Sequence, residues 1–543
     1  MTTSTGTTLA GGLSVGRSRY DCIVIGGGHN GLVCAAYLAR TGRTVLVLEA
    51  AHEVGGAATT REFAPGFRVS TCAHLLYSMP HALMKDLALE QHGLKFVAQG
   101  MVTIALSPDR EALVLGVPGS GSPAPGALNG TLELAAYSDY VALLTRLAKA
   151  LHPVLETVPP RLGTDSWADK RGLLQLGWRL RRLGSHDLRE LLRIGGMNVY
   201  DLLQEYFQSP LLQGALGFDA VLGTNFGPRS PGSVFTLLHR LAAAGALCGE
   251  GAGVSLAQPQ GGLGSLSAAL AAAAVHSGAE IRTGTPVGRI VVRDHRAEGV
   301  QLLSGEVIST DVVISNVDPK TTFLGLLGAE HLDAGFTRRV WNLRTRGLTA
   351  KLHLALDELP RFRGVSGSVR GGRFLIAPSL EYLERAFNHS KYGEFSASPA
   401  IEITLPSELD GGLAPAGRHV LSAIVQYAPY ALKGGWGSAR RDFTERVIET
   451  IGQYAPGLRG SVIAAQLLTP ADIEREFRIA GGHWHHAELA LDQFFMMRPV
   501  PGAAQYETPL EGLYLCGAGC HPGGGVMGLA GRNAARRVLQ KAA

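Results

Sequence analysis

Short apolar runs broken by glycine turns recur at both ends of the chain. Residues 21–25 form an apolar run that predicts a buried strand. Beyond a glycine turn, Leu32, Ala35, Ala36 and Leu38 fall at helical spacing, predicting a helix that Gly42 ends. Residues 44–48 predict a second strand with Glu49 at its end. Near the other end, residues 513–516 predict a strand that feeds a glycine-rich loop and a helix starting near Val526. Between these lie a predicted helix over 263–276 and strands through Ile281, 287–292, 300–303 and 312–315, the last closed by the turn Asn316-Val317-Asp318-Pro319. Residues 132–247 carry mainly helical periodicity. Residues 349–466 mix helices with strand-like runs at 352–356, 400–405 and 419–427.

The first turn has a chemical reading. Gly26, Gly28 and Gly31 stand in GxGxxG spacing between strand and helix, with His29 and Asn30 among them. Such glycines permit a tight turn, let the backbone approach a pyrophosphate, and bring helix and strand together, while the helix N-terminus offers unpaired N–H groups to the phosphates. Glu49 lies about twenty residues on, where a carboxylate accepts from ribose hydroxyls and repels a 2′-phosphate. The site therefore suits FAD or NAD. Gly55, Gly56 and Ala57 follow, with Thr59 and Thr60 beyond, and read as a second loop covering the pyrophosphate, which favours FAD.

In the C-terminal loop, Gly517 and Ala518 follow the strand, and three adjacent glycines, Gly523, Gly524 and Gly525, read as backbone lying flat against a planar ring. Val526 and Met527 open the helix whose positive end would face that ring. His521 belongs to this loop and reads either as a group beside the ring or as a structural hydrogen bond that pins it. The cluster His483, Trp484, His485, His486 is the other polar candidate, open between a proton relay, a substrate-orienting group and histidines satisfied in a loop. Spacing supplies no third metal ligand, so no metal is expected.

The strings around Gly26–Gly56, Gly261–Val292 and Leu513–Leu539 together resemble the phytoene-desaturase-like branch of the FAD-dependent amine-oxidase and desaturase superfamily. The resemblance implies that Val287 contacts adenine through its backbone and that His486 matches a histidine carried by near relatives. Ala57 stands where carotene desaturases of the branch commonly have Arg, which leaves Arg61 and Arg498 as candidates for the phosphate charge. The implied activity is hydride transfer from an apolar, isoprenoid or lipid-like substrate to flavin N5. A redox-neutral isomerase, or an FAD-stabilised interaction protein, stays open beside it.

The order of motifs predicts an α/β fold: a Rossmann-type FAD-binding domain built from three discontinuous segments, 20–106, 255–325 and 481–543, after a flexible tail over 1–19. A mixed α+β substrate domain is expected from two insertions, 107–254 and 326–480. A chain of 543 residues, 46% hydrophobic and 17% charged, exceeds one ordinary core. A net charge of +5 without clustering argues against nucleic acid as a partner. Six cysteines without a CxxC pair suit a reducing compartment, so the expected location is cytoplasmic, with a mitochondrial matrix if the chain is eukaryotic. Leu173, Leu176, Leu180 and Leu183 with Arg179, Arg181 and Arg182 predict a helix that either packs on the core or rests on an anionic membrane. The expected partners are an apolar small molecule, an unidentified electron acceptor and, as open options, a membrane surface or a second copy of the chain.

Overall fold

The strand Arg19–Ile25 is buried along most of its length and runs parallel to both neighbours, Val45–Leu48 and Val307–Ser315. A strand covered on both faces needs a continuous apolar run, which Cys22, Ile23, Val24 and Ile25 supply. This computed structural model describes residues 18–116, 131–244, 256–365 and 371–542. The tail expected over 1–19 lies, up to residue 17, outside the described residues, as does Cys248. The first sheet has seven strands in the order Val287–Arg293, Arg296–Leu302, Val307–Ser315, Arg19–Ile25, Val45–Leu48, Glu280–Arg282, with Leu513–Leu515 paired in parallel to the C-terminal end of Val307–Ser315. Its strands come from 19–48, 280–315 and 513–515, three stretches far apart in sequence.

Three helices cover this sheet: His29–Ala39, Leu263–His276 and Leu529–Ala542, the first packed against both others. A Cβ at Gly531 would lie 2.0 Å from the Asn30 carbonyl oxygen, so the first and last helices meet backbone to backbone. The last helix starts at Leu529 rather than near Val526, because 526–528 remain in the loop.

A second seven-stranded sheet runs Val462–Leu468, Thr349–Leu356, His419–Gln426, Ile401–Thr404, Arg373–Ile376, Thr103–Ala105, Leu113–Leu115. It is antiparallel apart from the pair formed by Arg373–Ile376 and Thr103–Ala105. Thr103–Ala105 falls within the first predicted unit, 20–106. Its partners place it in the second sheet. The helical insertion contributes Thr131–Leu155, Trp167–Arg181, Gly184–Ile194, Val199–Tyr206, Pro210–Val221 and Ser233–Ala244.

The leucine-rich stretch near 170–194 is two helices, broken ahead of Gly184, whose φ is 81°. Leu173, Leu176, Leu180 and Leu183, expected either to pack on the core or to rest on a membrane, are half-buried. Trp167, Leu174 and Trp178 are instead 75%, 69% and 60% exposed, on one helix face with the exposed Arg171. The Arg182 guanidinium lies 4.7 Å from the Trp178 ring centroid. No helix among the described residues is long and apolar enough to cross a membrane.

Candidate functional site

The fingerprint turn is built by contacts the spacing implies. Gly26 has φ of 97°, and a Cβ on Gly31 would lie 2.3 Å from the Gly26 carbonyl oxygen, so the helix can approach the strand only with glycine at 31. The second glycine loop joins the first: Gly55 N–H donates to the Gly27 carbonyl at 2.8 Å, and Gly28 bridges Gly55. Glu49 accepts from Gly27 N–H at 2.7 Å through Oε2 and from Ala51 N–H at 2.8 Å through Oε1, which fixes the carboxylate at the strand end.

These loops open onto a large cavity, about 1650 Å³ of empty space with its mouth included. Gly26, Gly28, His29, Asn30, Glu49, Gly55, Gly56 and Ala57 line it, and so do Val287, Ala518, Gly525, Val526 and His486. Residues from the two ends and the middle of the chain thus share one space. The remaining candidates do not. Gly31 and Gly517 work behind the lining; a Cβ at Gly517 would lie 2.5 Å from the Asn316 carbonyl oxygen. Met527 lines a smaller adjacent cavity.

Three expectations are corrected. Gly524 was read as packing on a planar ring, but a Cβ there would lie 2.0 Å from His485 Nδ1, and at Gly523 it would lie 2.9 Å from Leu489 Cδ2. Of the three adjacent glycines only Gly525 lines the cavity, because the other two make room for protein. His521 is buried outside the cavity lining, edge-on to Phe494 and Phe495, with Nε2 bonded to the Val154 carbonyl at 2.9 Å. It pins the loop to the long helix Thr131–Leu155 and has no access to a ring in the cavity. The Thr60 hydroxyl accepts from Gly264 N–H at 2.9 Å, and Thr59 donates to the Gly56 carbonyl, so neither covers the cavity.

Neither arginine put forward for phosphate is placed for it. Arg61 pairs with Glu53 at 2.6 Å. Arg498 is fully buried and donates to the carbonyls of His485, Ala487, Glu488, Gln493, Ala518 and Cys520, tying the histidine cluster to the C-terminal loop. Burial lowers its pKa to about 10. The five described cysteines are free and buried. Burial raises the Cys22, Cys72 and Cys520 thiols to about 12, which keeps them protonated.

Three residues read only as a turn, Asn316, Val317 and Asp318, belong to the cavity wall. Asn316 donates from Nδ2 to the Gly26 carbonyl at 3.2 Å, and Asp318 accepts from Thr321 N–H at 3.0 Å. The turn sequence itself was the available signal. His486, at φ 60°, has a sealed Nδ1 with no partner, and His29 has a sealed Nε2. Burial lowers both to about 4, with Asp318 opposing that shift at His486.

These features fit a dinucleotide. The helix His29–Ala39 starts at Gly28 with no side-chain cap and no acid in its first turn, so its N–H groups are free for an anion. By contrast, Leu263–His276 is closed by the Ser70 and Thr60 hydroxyls. The unpartnered atoms of His29, Asn30 and His486 supply polar groups that a bound cofactor can satisfy. Among the described residues no group of three or more His, Cys, Asp or Glu is placed to hold a metal.

Beyond the glycine loops the cavity is lined by His74, Tyr77, Arg240 and Glu402, none of which stood out in the sequence. His74 and Tyr77 share the loop after Phe67–Ser70, Arg240 lies on the helix Ser233–Ala244 and Glu402 on the strand Ile401–Thr404, and no local spacing joins the three segments. His74 Nε2 lies 2.7 Å from Glu402, and Lys351 Nζ lies 2.6 Å from His74 Nδ1. Glu402 also takes Arg373 Nε at 2.6 Å. Burial lowers His74 to about 4 and Lys351 to about 7.

Residues 31–539 match the family described as flavin containing amine oxidoreductase. The mouse pyridine nucleotide-disulfide oxidoreductase domain-containing protein 2 is 38% identical, covering 96% of this chain and 94% of its own. One of the limonene dehydrogenase subunits of Castellaniella defragrans is 28% identical, covering 96% of this chain and 94% of its own. An oxidoreductase from Methanosarcina mazei shares the fold with a TM-score of 0.59 at 19% identity, covering 96% of this chain and 99% of that one.

Proposed function

The chain belongs to the flavin containing amine oxidoreductase family, an FAD-dependent oxidoreductase, and from that premise we propose that it dehydrogenates an apolar, isoprenoid or lipid-like substrate. FAD supplies hydride acceptance at N5, and an external electron acceptor restores it. The observation that carries the reading is the cavity itself, which continues from the glycine cradle into a chamber walled by Leu75, Leu222, Leu256 and Ile424. Such walls hold a hydrocarbon and exclude water, so the protein's part is orientation and desolvation. The name of the limonene dehydrogenase relative supports an isoprenoid hydrocarbon as the substrate class. His486 lines the cavity as a ring neutral at pH 7 and can orient the substrate or relay the proton that leaves with the hydride. The exposed Trp167, Leu174 and Trp178 beside Arg171 and Arg182 favour delivery of the substrate from an anionic membrane surface.

The test is anaerobic mixing of FAD-loaded protein with limonene and with fractionated lipid extracts in anionic vesicles. The expected result is bleaching of the flavin by at least one fraction, slowed about 100-fold in His486→Ala while flavin content is retained. If no fraction bleaches the flavin under any condition, the dehydrogenase reading fails. A double-bond shift without net oxidation would instead change the substrate and leave the colour unchanged.

A further inference from the structure

We infer that the substrate chamber recognises a carboxylate, held by the Arg240 guanidinium, so that the substrate is an apolar chain or ring ending in an acid; this rests on the dehydrogenase reading for its location. Arg240 is 8% exposed, lines the large cavity and the smaller one beside it, and stacks over Tyr77 with its guanidinium carbon 4.2 Å from the ring centroid. Its Nε lies 3.3 Å from Asp219 but has no hydrogen-bond partner.

The neighbouring arginine shows what satisfaction looks like. Arg373 places both terminal nitrogens on Asp219, at 3.1 and 2.6 Å, and its Nε on Glu402 at 2.6 Å. Asp219 and Glu402 are therefore already engaged, Glu402 by His74 as well. A guanidinium has five donors, and beyond its ion pair with Asp219 at 3.3 Å a buried one that makes no hydrogen bond is costly. Arg240 makes no hydrogen bond to any described residue, and it sits where Leu222, Leu256, Leu75 and Ile424 form apolar wall. Glu402 lines the same cavity but is paired with Arg373, so a guanidinium in this wall matches a carboxylate, which accepts two parallel N–H bonds, better than a hydrocarbon, which accepts none.

The experiment uses FAD-loaded protein and the oxidised flavin spectrum as reporter, with octanoate, dodecanoate and their methyl esters as probes. The acids should shift the spectrum saturably, with the esters at least about 10-fold weaker in the unaltered protein. Arg240→Gln should weaken the acids by about 10- to 100-fold and leave the esters unchanged, with flavin content retained. Equal binding of acid and ester, no saturable shift with either acid, or unchanged acid affinity in Arg240→Gln would each overturn the inference. Loss of flavin in Arg240→Gln would assign the arginine to the cofactor instead. The comparison of acid with ester needs no variant. Acid binding without any substrate that reduces the flavin would sink the dehydrogenase reading and leave this one standing.

Discussion

Several histidines of this protein lie buried as neutral rings held by hydrogen bonds. His239 Nε2 bonds the Pro522 carbonyl at 2.9 Å, and His521 Nε2 bonds the Val154 carbonyl at 2.9 Å. Burial lowers His74 and His239 to about 4 and His521 to about 3, from a free value near 6.5. Between those values the unfolded chain binds the protons and the folded chain does not, so stability is complete above pH 6.5 and falls as the pH drops toward 4. Each ring is worth on the order of 3 kcal/mol across that window. Thermal melts at pH 7 and pH 4.5 should show a large acid drop that His521→Gln reduces. An identical drop in the variant would mean that His521 is not held neutral. The same residue shows where spacing misleads, since membership of a glycine loop says nothing about which side of the loop a ring occupies. Gly524 teaches this too: a sequence reveals a missing Cβ but not whether a ligand or His485 fills the space.

At the level of elements, the two signature loops meet because two helices do. His29–Ala39 and Leu529–Ala542 cross with Gly531 against the Asn30 backbone, and Asn30 lines the cavity. Gly531→Leu must push these helices apart, so flavin retention on gel filtration should drop at least about 10-fold and the melting temperature should fall by several degrees. Full flavin retention would show that the crossing does not set the cradle. Helices and strands of the cofactor unit were legible in the sequence because each carries its own local signal: glycine spacing, an apolar run, a terminal acid. The predicted helix over 263–276 matches Leu263–His276 residue for residue. Strands Thr60–Ala64, Arg373–Ile376 and Leu113–Leu115 escaped notice, being short and lacking clear alternation. The wholly buried strand Thr349–Leu356 holds Lys351 and His353, whose polar atoms are met by His74 and the Thr71 carbonyl, loop residues far away in sequence.

Across the whole molecule, one cavity joins a cradle written in the sequence to a chamber assembled only by folding. Glu49, Gly28 and Gly55 announce their chemistry through neighbours a few residues away. His74, Asp219, Arg240, Arg373 and Glu402 reach one another across as many as 328 positions, as in the bond of His74 to Glu402, and no local pattern encodes that. We propose that this single cavity holds FAD, with adenosine at Glu49 and Val287 and the flavin ring between His486 and Val526, facing the Arg240 chamber. A crystal structure of the FAD-loaded protein tests it most directly. Pyrophosphate density is expected against the N–H groups of Gly28 to Asn30, with the ring within contact of His486 and Gly525. Flavin density elsewhere, or a ring turned away from Arg240 and Tyr77, would contradict it.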